Sequence, residues 1–195
     1  FNFNCPTYSL SSTTSSNICS GSDAIITLAG GAGLPDGSYV VTYTRTINSV
    51  TITDSVTQTA SGGSMTLTFS GLTAGTYNYT ITRLRSGNND QFGCFNSISL
   101  NNTTTFTVNP TPNAGTINGA SILCAGTNLD TLTLTGSVGT IQWVDCNGYS
   151  PIAGATDSIF LIPYPGNFAA IVNTGSCTDT TSCTFMSGID NLSYA

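Results

Sequence analysis

The chain has 195 residues, enough for two modest domains or one large one, and 39% of them are hydrophobic, which supports packed cores. Only 6% are charged: nine Asp and three Arg, with no Glu, no Lys and no His, for a net charge of −6. Without the strong helix formers Glu and Lys a substantially helical protein is excluded, and three cations cannot neutralise enough phosphates for nucleic acid or an anionic membrane surface to be a partner.

No stretch approaches a membrane span, so no membrane insertion is expected. The first residues are not a signal peptide, and the numbering is expected to start in mature protein or inside a longer chain. Seven cysteines in so polar a chain point to an oxidising compartment. The competing reading is a metal site, but there is no Cys-x-x-Cys pair and no His, and the cysteines are widely spread. No metal or other cofactor is expected. The odd count leaves at least one thiol free, paired outside the chain, or without its partner.

The first block, residues 1–109, reads as strands with period-two alternation. Tyr39, Val41 and Tyr43 share one face opposite Thr42 and Thr44. Met65, Leu67 and Phe69 alternate with Thr66 and Thr68, and Tyr77, Tyr79 and Ile81 with Asn78, Thr80 and Thr82. Phe106 and Val108 close the block. Gly30-Gly31, Pro35-Asp36-Gly37, Gly62-Gly63 and Ser86-Gly87-Asn88-Asn89 punctuate the runs as turns. Asn88-Asn89-Asp90 offers oxygen ligands, but no spaced carboxylate set accompanies it, so a turn is preferred to a calcium loop.

Asn109-Pro110-Thr111-Pro112 marks a boundary, with residues 110–112 a short, stiff linker. In the second block, 113–188, Leu132 and Leu134 alternate with threonines, Ile141 and Trp143 share a face, and Phe168, Ala170 and Val172 alternate. Trp143 sits where a central sandwich strand carries its core Trp; the other reading is an exposed sugar-stacking platform. Residues 189–195 form a patternless tail. Short strands spaced by turns, in blocks of about 80 to 100 residues, predict an all-β chain of two tandem immunoglobulin-like antiparallel β-sandwich domains.

With no His there is no Ser-His-Asp or Cys-His constellation, and acid–base work falls to Asp, Tyr or Cys. The nine Asp are scattered singly, so a paired-Asp glycosidase is disfavoured and no enzyme is expected. The missing Lys excludes Lys–Asn isopeptide bracing. Three roles remain. The first is a stalk or tip module of a surface adhesin, or a surface fibre subunit. The second is a carbohydrate-binding module presenting Tyr149, Tyr164 and Phe95. The third is an ice-binding face built on Thr131–Thr135, ranked last because the spacing does not recur at a fixed length. A segment before Cys19 that completes a neighbour's sandwich would mark a fibre subunit.

Several segments resemble repeat domains of very large Bacteroidetes surface proteins. In the first block they are Gly37–Tyr43, Gly75–Ile81 and Thr104–Val108. The second block is similar to the terminal repeat of such proteins over Gly139–Cys146, Ile152–Thr156, Gly166–Ala170 and Gly175–Cys183. In that family this repeat precedes a C-terminal sorting domain read by the type IX secretion system, and Gly188–Leu192 resembles the junction into it. The resemblance implies a secreted, extracellular module on the bacterial cell surface, serving adhesion, gliding motility or surface filaments. Its partners would be other repeats of the same protein or neighbouring copies, the secretion machinery, and surface glycans.

The family pattern sharpens a cysteine scheme in which Cys19 pairs with Cys94, Cys124 with Cys177, and Cys146 with Cys183. Cys5 is left over, either bonded to a preceding repeat or another molecule, or free. The resemblance also implies O-glycosylation at Asp followed by Ser or Thr and then an apolar residue or Thr. The acceptors would be Ser55, Thr131, Ser158 and Thr180, following Asp54, Asp130, Asp157 and Asp179.

Overall fold

The computed structural model describes residues 7–86, 95–119, 122–123 and 130–188. The chain divides into two compact units, Phe1–Pro110 and Thr111–Ala195, each built from strands. The division falls inside the expected linker. Pro112 is buried and so is not a free spacer residue.

In the first unit β1 (Ser12–Ser15), β3 (Ala24–Ala29) and β6 (Ser64–Phe69) form one antiparallel sheet in the order β1-β3-β6. A second sheet has the order β2-β9-β7-β4-β5, from β2 (Ile18–Cys19), β9 (Thr103–Asn109), β7 (Gly75–Ser86), β4 (Gly37–Ile47) and β5 (Val50–Ala60). A short β8 (Phe95–Ser97) adds to β7. β1 pairs with β3 of its own unit, so residues 12–15 form part of this sandwich.

The second unit repeats the plan. β10 (Thr116–Gly119), β12 (Thr131–Thr135) and β15 (Ile159–Leu161) form the order β10-β12-β15. β11 (Ile122–Leu123), β18 (Thr184–Gly188), β16 (Gly166–Asn173), β13 (Thr140–Asp145) and β14 (Ser150–Pro151) form β11-β18-β16-β13-β14, with β17 (Thr178–Thr180) on β16. Gly188, which opens the segment resembling a sorting-domain junction, pairs with Leu123 and is the last residue of β18. Two sheets of this strand order over one core make each unit an immunoglobulin-like β-sandwich.

The alternation expected from sequence decides which faces meet. Tyr39, Val41, Tyr43, Met65, Leu67, Tyr77, Tyr79, Ile81, Phe106 and Val108 are all buried in one cluster drawn from both sheets. Burying such side chains contributes roughly 1.5–3 kcal/mol each before entropy is charged against it. Leu132, Leu134, Trp143, Phe168, Ala170 and Val172 fill the second core. Trp143 is fully buried, its indole N–H donates to the Asp157 carbonyl at 2.9 Å, and its ring stacks on Phe160 at 4.9 Å. The sugar-platform reading of Trp143 is therefore overturned: the ring has no free face and its one donor is already used.

A short motif, Leu-x-x-Gly-x-Tyr, starts two strands of the larger sheet in the first unit. Leu34 and Leu72 are buried, Gly37 and Gly75 both take φ of 152°, and the tyrosine hydroxyls turn back to the preceding loop. Tyr39 donates to the Pro35 carbonyl at 2.7 Å and Tyr77 to the Thr73 carbonyl at 3.0 Å. The second of these, at the start of β7, is a tyrosine corner. The second unit has Gly166-Asn167-Phe168 at the matching place, and the Phe has no hydroxyl to make the bond.

The β4–β5 hairpin turns through Asn48 and Ser49, both with positive φ (49° and 65°), the signature of a type I′ turn matched to strand twist. Its eleven pairs run in unbroken register.

Tyr77→Phe is expected to cost about 1 kcal/mol, one buried hydrogen bond, and Trp143→Ala about 3–5 kcal/mol, read from denaturant midpoints of the respective transitions. Burial raises the hydroxyl pKa of Tyr39, Tyr43 and Tyr79 in the first core. The folded unit then holds these protons more tightly than the unfolded chain. The stability these hydroxyls contribute is complete below the ordinary tyrosine value of about 10 and is lost as pH rises through their raised folded-state values. An alkaline titration followed by circular dichroism should unfold the first unit at lower pH than the second, whose core contains no tyrosine; the reverse order would contradict this.

Candidate functional site

Among the described residues, Cys19, Cys146, Cys177 and Cys183 lie at or beside strand ends. Cys146 follows the last residue of β13, and its N–H donates to the Asn167 carbonyl of β16 at 2.9 Å. It is joined by a disulfide to Cys183, 37 residues on, with Cα atoms 6.3 Å apart. Cys183 lies one residue ahead of β18 and not within the last strand, so the bond ties the end of β13 to the start of β18 across the intervening β16. Cys19, the last residue of β2, and Cys177, beside β17, are each disulfide-bonded as well. Cys5, Cys94 and Cys124 lie outside the described residues.

The aromatic side chains proposed for sugar stacking are exposed and divide between the two units. Phe95 is 56% exposed in the first unit, where the Arg83 guanidinium sits over its ring at 4.6 Å. Tyr149 and Tyr164, 51% and 44% exposed, belong to the second. Tyr164 donates to Asp145 Oδ2 at 2.9 Å, and that hydrogen bond raises its pKa. The other oxygen, Asp145 Oδ1, accepts from the Asn147 N–H at 2.8 Å. Tyr149 lies in the following turn with positive φ, its hydroxyl 3.8 Å from Cys183 Sγ. This association carries no sequence signal, since Asp145 and Tyr164 are distant in sequence and meet only through folding.

The four acceptor residues differ in access. Ser55 is exposed on the edge strand β5, Ser158 is exposed just ahead of β15, and Thr180 is exposed in β17. Thr131 is half-buried in β12, which has a strand on each side. Asp54 and Asp179 each accept from the N–H of the following acceptor residue, at 2.7 and 2.9 Å. Asp179 also accepts from the Ala114 N–H through its second oxygen, pinning the entry to the second unit onto β17. Asn88-Asn89-Asp90 lies outside the described residues.

The threonines of Thr131–Thr135 lie half-buried or exposed in β12, with Thr135 bonded to Asn118. A larger hydroxyl face stands on the first unit. Thr53, Thr44, Thr80 and Thr103 form one row across four strands, and Thr51, Thr46, Asn78 and Thr105 the next.

Three shallow grooves flank the sheets. One of about 330 Å³ is lined by Ile152–Asp157, the exposed Ile159 and Leu161, Phe160 and Pro163. A second of about 310 Å³ contains Asp23, and a third of about 180 Å³ contains no ionisable group except Tyr8. Each of the first two holds a single carboxylate, where paired-acid hydrolysis requires two within about 5–10 Å. Among the described residues no three metal-ligating side chains gather.

A family model described as a domain of unknown function, DUF8696, matches residues 113–189, the second unit. No curated protein matches the chain. Among solved structures, a crystal structure of mouse coronavirus receptor-binding domain complexed with its murine receptor aligns with a TM-score of 0.42 and 14% identity, over 91% of this chain and 99% of that one. Tandem Ig repeats of Dlar align with a TM-score of 0.32 and 14% identity, over 90% and 94% of the two chains. The N-terminal Ig1-2 module of the Drosophila receptor protein tyrosine phosphatase DLAR gives 0.32 and 12%, over 91% and 95%. The immunoglobulin-like assignment rests on the strand order of each unit.

Replacing Cys146 and Cys183 together by Ala removes a cross-link spanning 37 residues, which the chain-entropy model values at about 4 kcal/mol. The second unfolding transition should move down by that order while the first stays; an unchanged second transition would show that the bond braces nothing.

Proposed function

We propose that the chain is a secreted structural and adhesive module, a stalk or tip segment of a cell-surface adhesin or a subunit of a surface fibre, and not an enzyme. The observation that carries this reading is the same sandwich built twice in one chain, with cystines at strand ends and no paired acids in the grooves described. Proton-transfer chemistry finds little to work with, because the sequence has no His, Glu or Lys. The resemblance to Bacteroidetes surface repeats supports a bacterial cell-surface location and export by type IX secretion. Other repeats of the same protein or neighbouring copies would then be the partners.

A second reading, a carbohydrate-binding module, draws on one local feature: two exposed tyrosines near Asp145 in the second unit. Tyrosine faces with an adjacent carboxylate suit a sugar's apolar face and hydroxyls. A glycan array probed with the wild type and with Tyr149→Ala/Tyr164→Ala decides it: binding lost in the variant supports a lectin-like role, and an array without hits removes it.

Immunogold labelling of intact source cells with antibody to the chain should decorate the cell exterior; label confined to the interior would overturn the surface reading. Glycopeptide mass spectrometry of the native protein should find sugar on the exposed Ser55, Ser158 and Thr180, with Thr131 bare. Unmodified peptides at all four would remove glycosylation from the account.

A further inference from the structure

Arg45 points to the core side of its strand with no carboxylate to meet it. It follows Tyr43 on that face of β4 and lies between Ile52 of β5 and Tyr79 of β7. Burial raises the Tyr79 hydroxyl pKa and the Arg45 guanidinium partly lowers it again, which makes the two groups neighbours. Yet Arg45 Nε and the Tyr79 hydroxyl are buried without a hydrogen-bond partner, and Arg45 makes no ion pair among the described residues. The side chain is only half-buried, so its guanidinium is reachable from outside and suited to a carboxylate.

Aliphatic side chains frame this cation. Ile52 is the cross-strand partner of Arg45, and Val50 stands on the same face of β5. Both are exposed, because residues 50–55 are left uncovered on both faces. The second unit carries the converse set. Asp157, Ile159 and Leu161 follow at intervals of two, all exposed, and all line the groove of about 330 Å³. They run along β15, an edge strand paired only with β12.

Net charge divides the same way. Residues 1–110 hold four Asp against three Arg, net −1, and residues 111–195 hold five Asp and no cation, net −5. Set against its own copy, the β15 ridge would oppose Asp157 to Asp157, and the hairpin face Arg45 to Arg45. Pairing the unlike faces instead joins opposite charges and lays two aliphatic side chains on two others.

We propose that these faces are the two halves of a contact between copies of this chain: the Arg45, Val50 and Ile52 face of one copy's first unit receives the Asp157, Ile159 and Leu161 ridge of another copy's second unit. The Asp157 carboxylate accepts hydrogen bonds from the Arg45 guanidinium. Each copy offers one half of either kind, so the contact repeats from copy to copy into a filament or a closed ring. Its use in the cell rests on the fibre-subunit reading, whereas the association is a property of the purified chain.

Sedimentation velocity of the full oxidised chain over a range of concentrations tests it. The wild type should associate as concentration rises, and less so in high salt. Arg45→Asp alone and Asp157→Arg alone should each weaken association by about thirtyfold or more. An equimolar mixture of the two variants should recover it, because each then meets the opposite charge at both faces. If Arg45→Asp unfolds the first unit, Ile159→Thr/Leu161→Thr reads the same contact from exposed positions and should weaken it by about tenfold. A wild type that stays monomeric at millimolar concentration overturns the proposal. So does association indifferent to Asp157→Arg, or folded single variants that stay apart when mixed. Each of these results leaves the cell-surface location standing, since immunogold labelling tests that separately.

Discussion

Most strands here keep one face in water with almost no charge to do it. A sheet face is normally solvated by Lys and Glu; this chain has neither, so hydroxyls take their place. Threonine suits the position for two reasons. Its β-branched side chain is stiff at χ1 and favours the pleated backbone, and its hydroxyl offers both a donor and acceptors to water. The rows through Thr44 and Thr46 of the first unit are the outcome: polar and uncharged across four strands. The opposite face of the same strands carries Tyr, Val and Ile into the core, and the period of two holds the face assignment in place.

The same alternation fills both cores with aromatic rings. The first core packs Tyr77, Tyr79 and Phe106 as near-parallel rings at 5.7–6.5 Å, and the second packs Trp143, Phe160 and Phe168 at 4.9–5.2 Å. The described cysteines lie at or beside strand ends. Cys146 and Cys183 bridge the two neighbours of β16, and Cys19 ends the parallel β2–β9 pair of the first unit.

Much of the fold was legible in the sequence because alternation is a local signal. Tyr39–Tyr43, Tyr77–Ile81, Leu132–Leu134 and Trp143 all bury the expected faces. The edge strand β5 was not legible. Asp54 interrupts its apolar positions, and residues 50–55 are exposed on both faces, so burial imposes no pattern there. β3 was hidden by Ile25, an exposed isoleucine between the buried Ala24 and Ile26. The Asn48-Ser49 turn lacks the glycine that usually announces type I′ geometry. The site fared less well, since exposure of an aromatic ring says nothing about which ring stands beside it. Phe95 is tied to Arg83 in one unit while Tyr164 is tied to Asp145 in the other. Acceptor access was equally unreadable: Thr131 and Ser55 share a motif, but one lies in a central strand and the other on an edge.

Hydrogen exchange on the full oxidised chain, without any ligand, is the most direct measurement of whether period-two burial with hydroxylated outer faces suffices to build two self-standing sandwiches. The account predicts slow exchange along the amides of the central strands β3, β7, β12 and β16, in both units and to a comparable degree. Fast exchange throughout either unit, or protection that arises only when a partner is added, would contradict it.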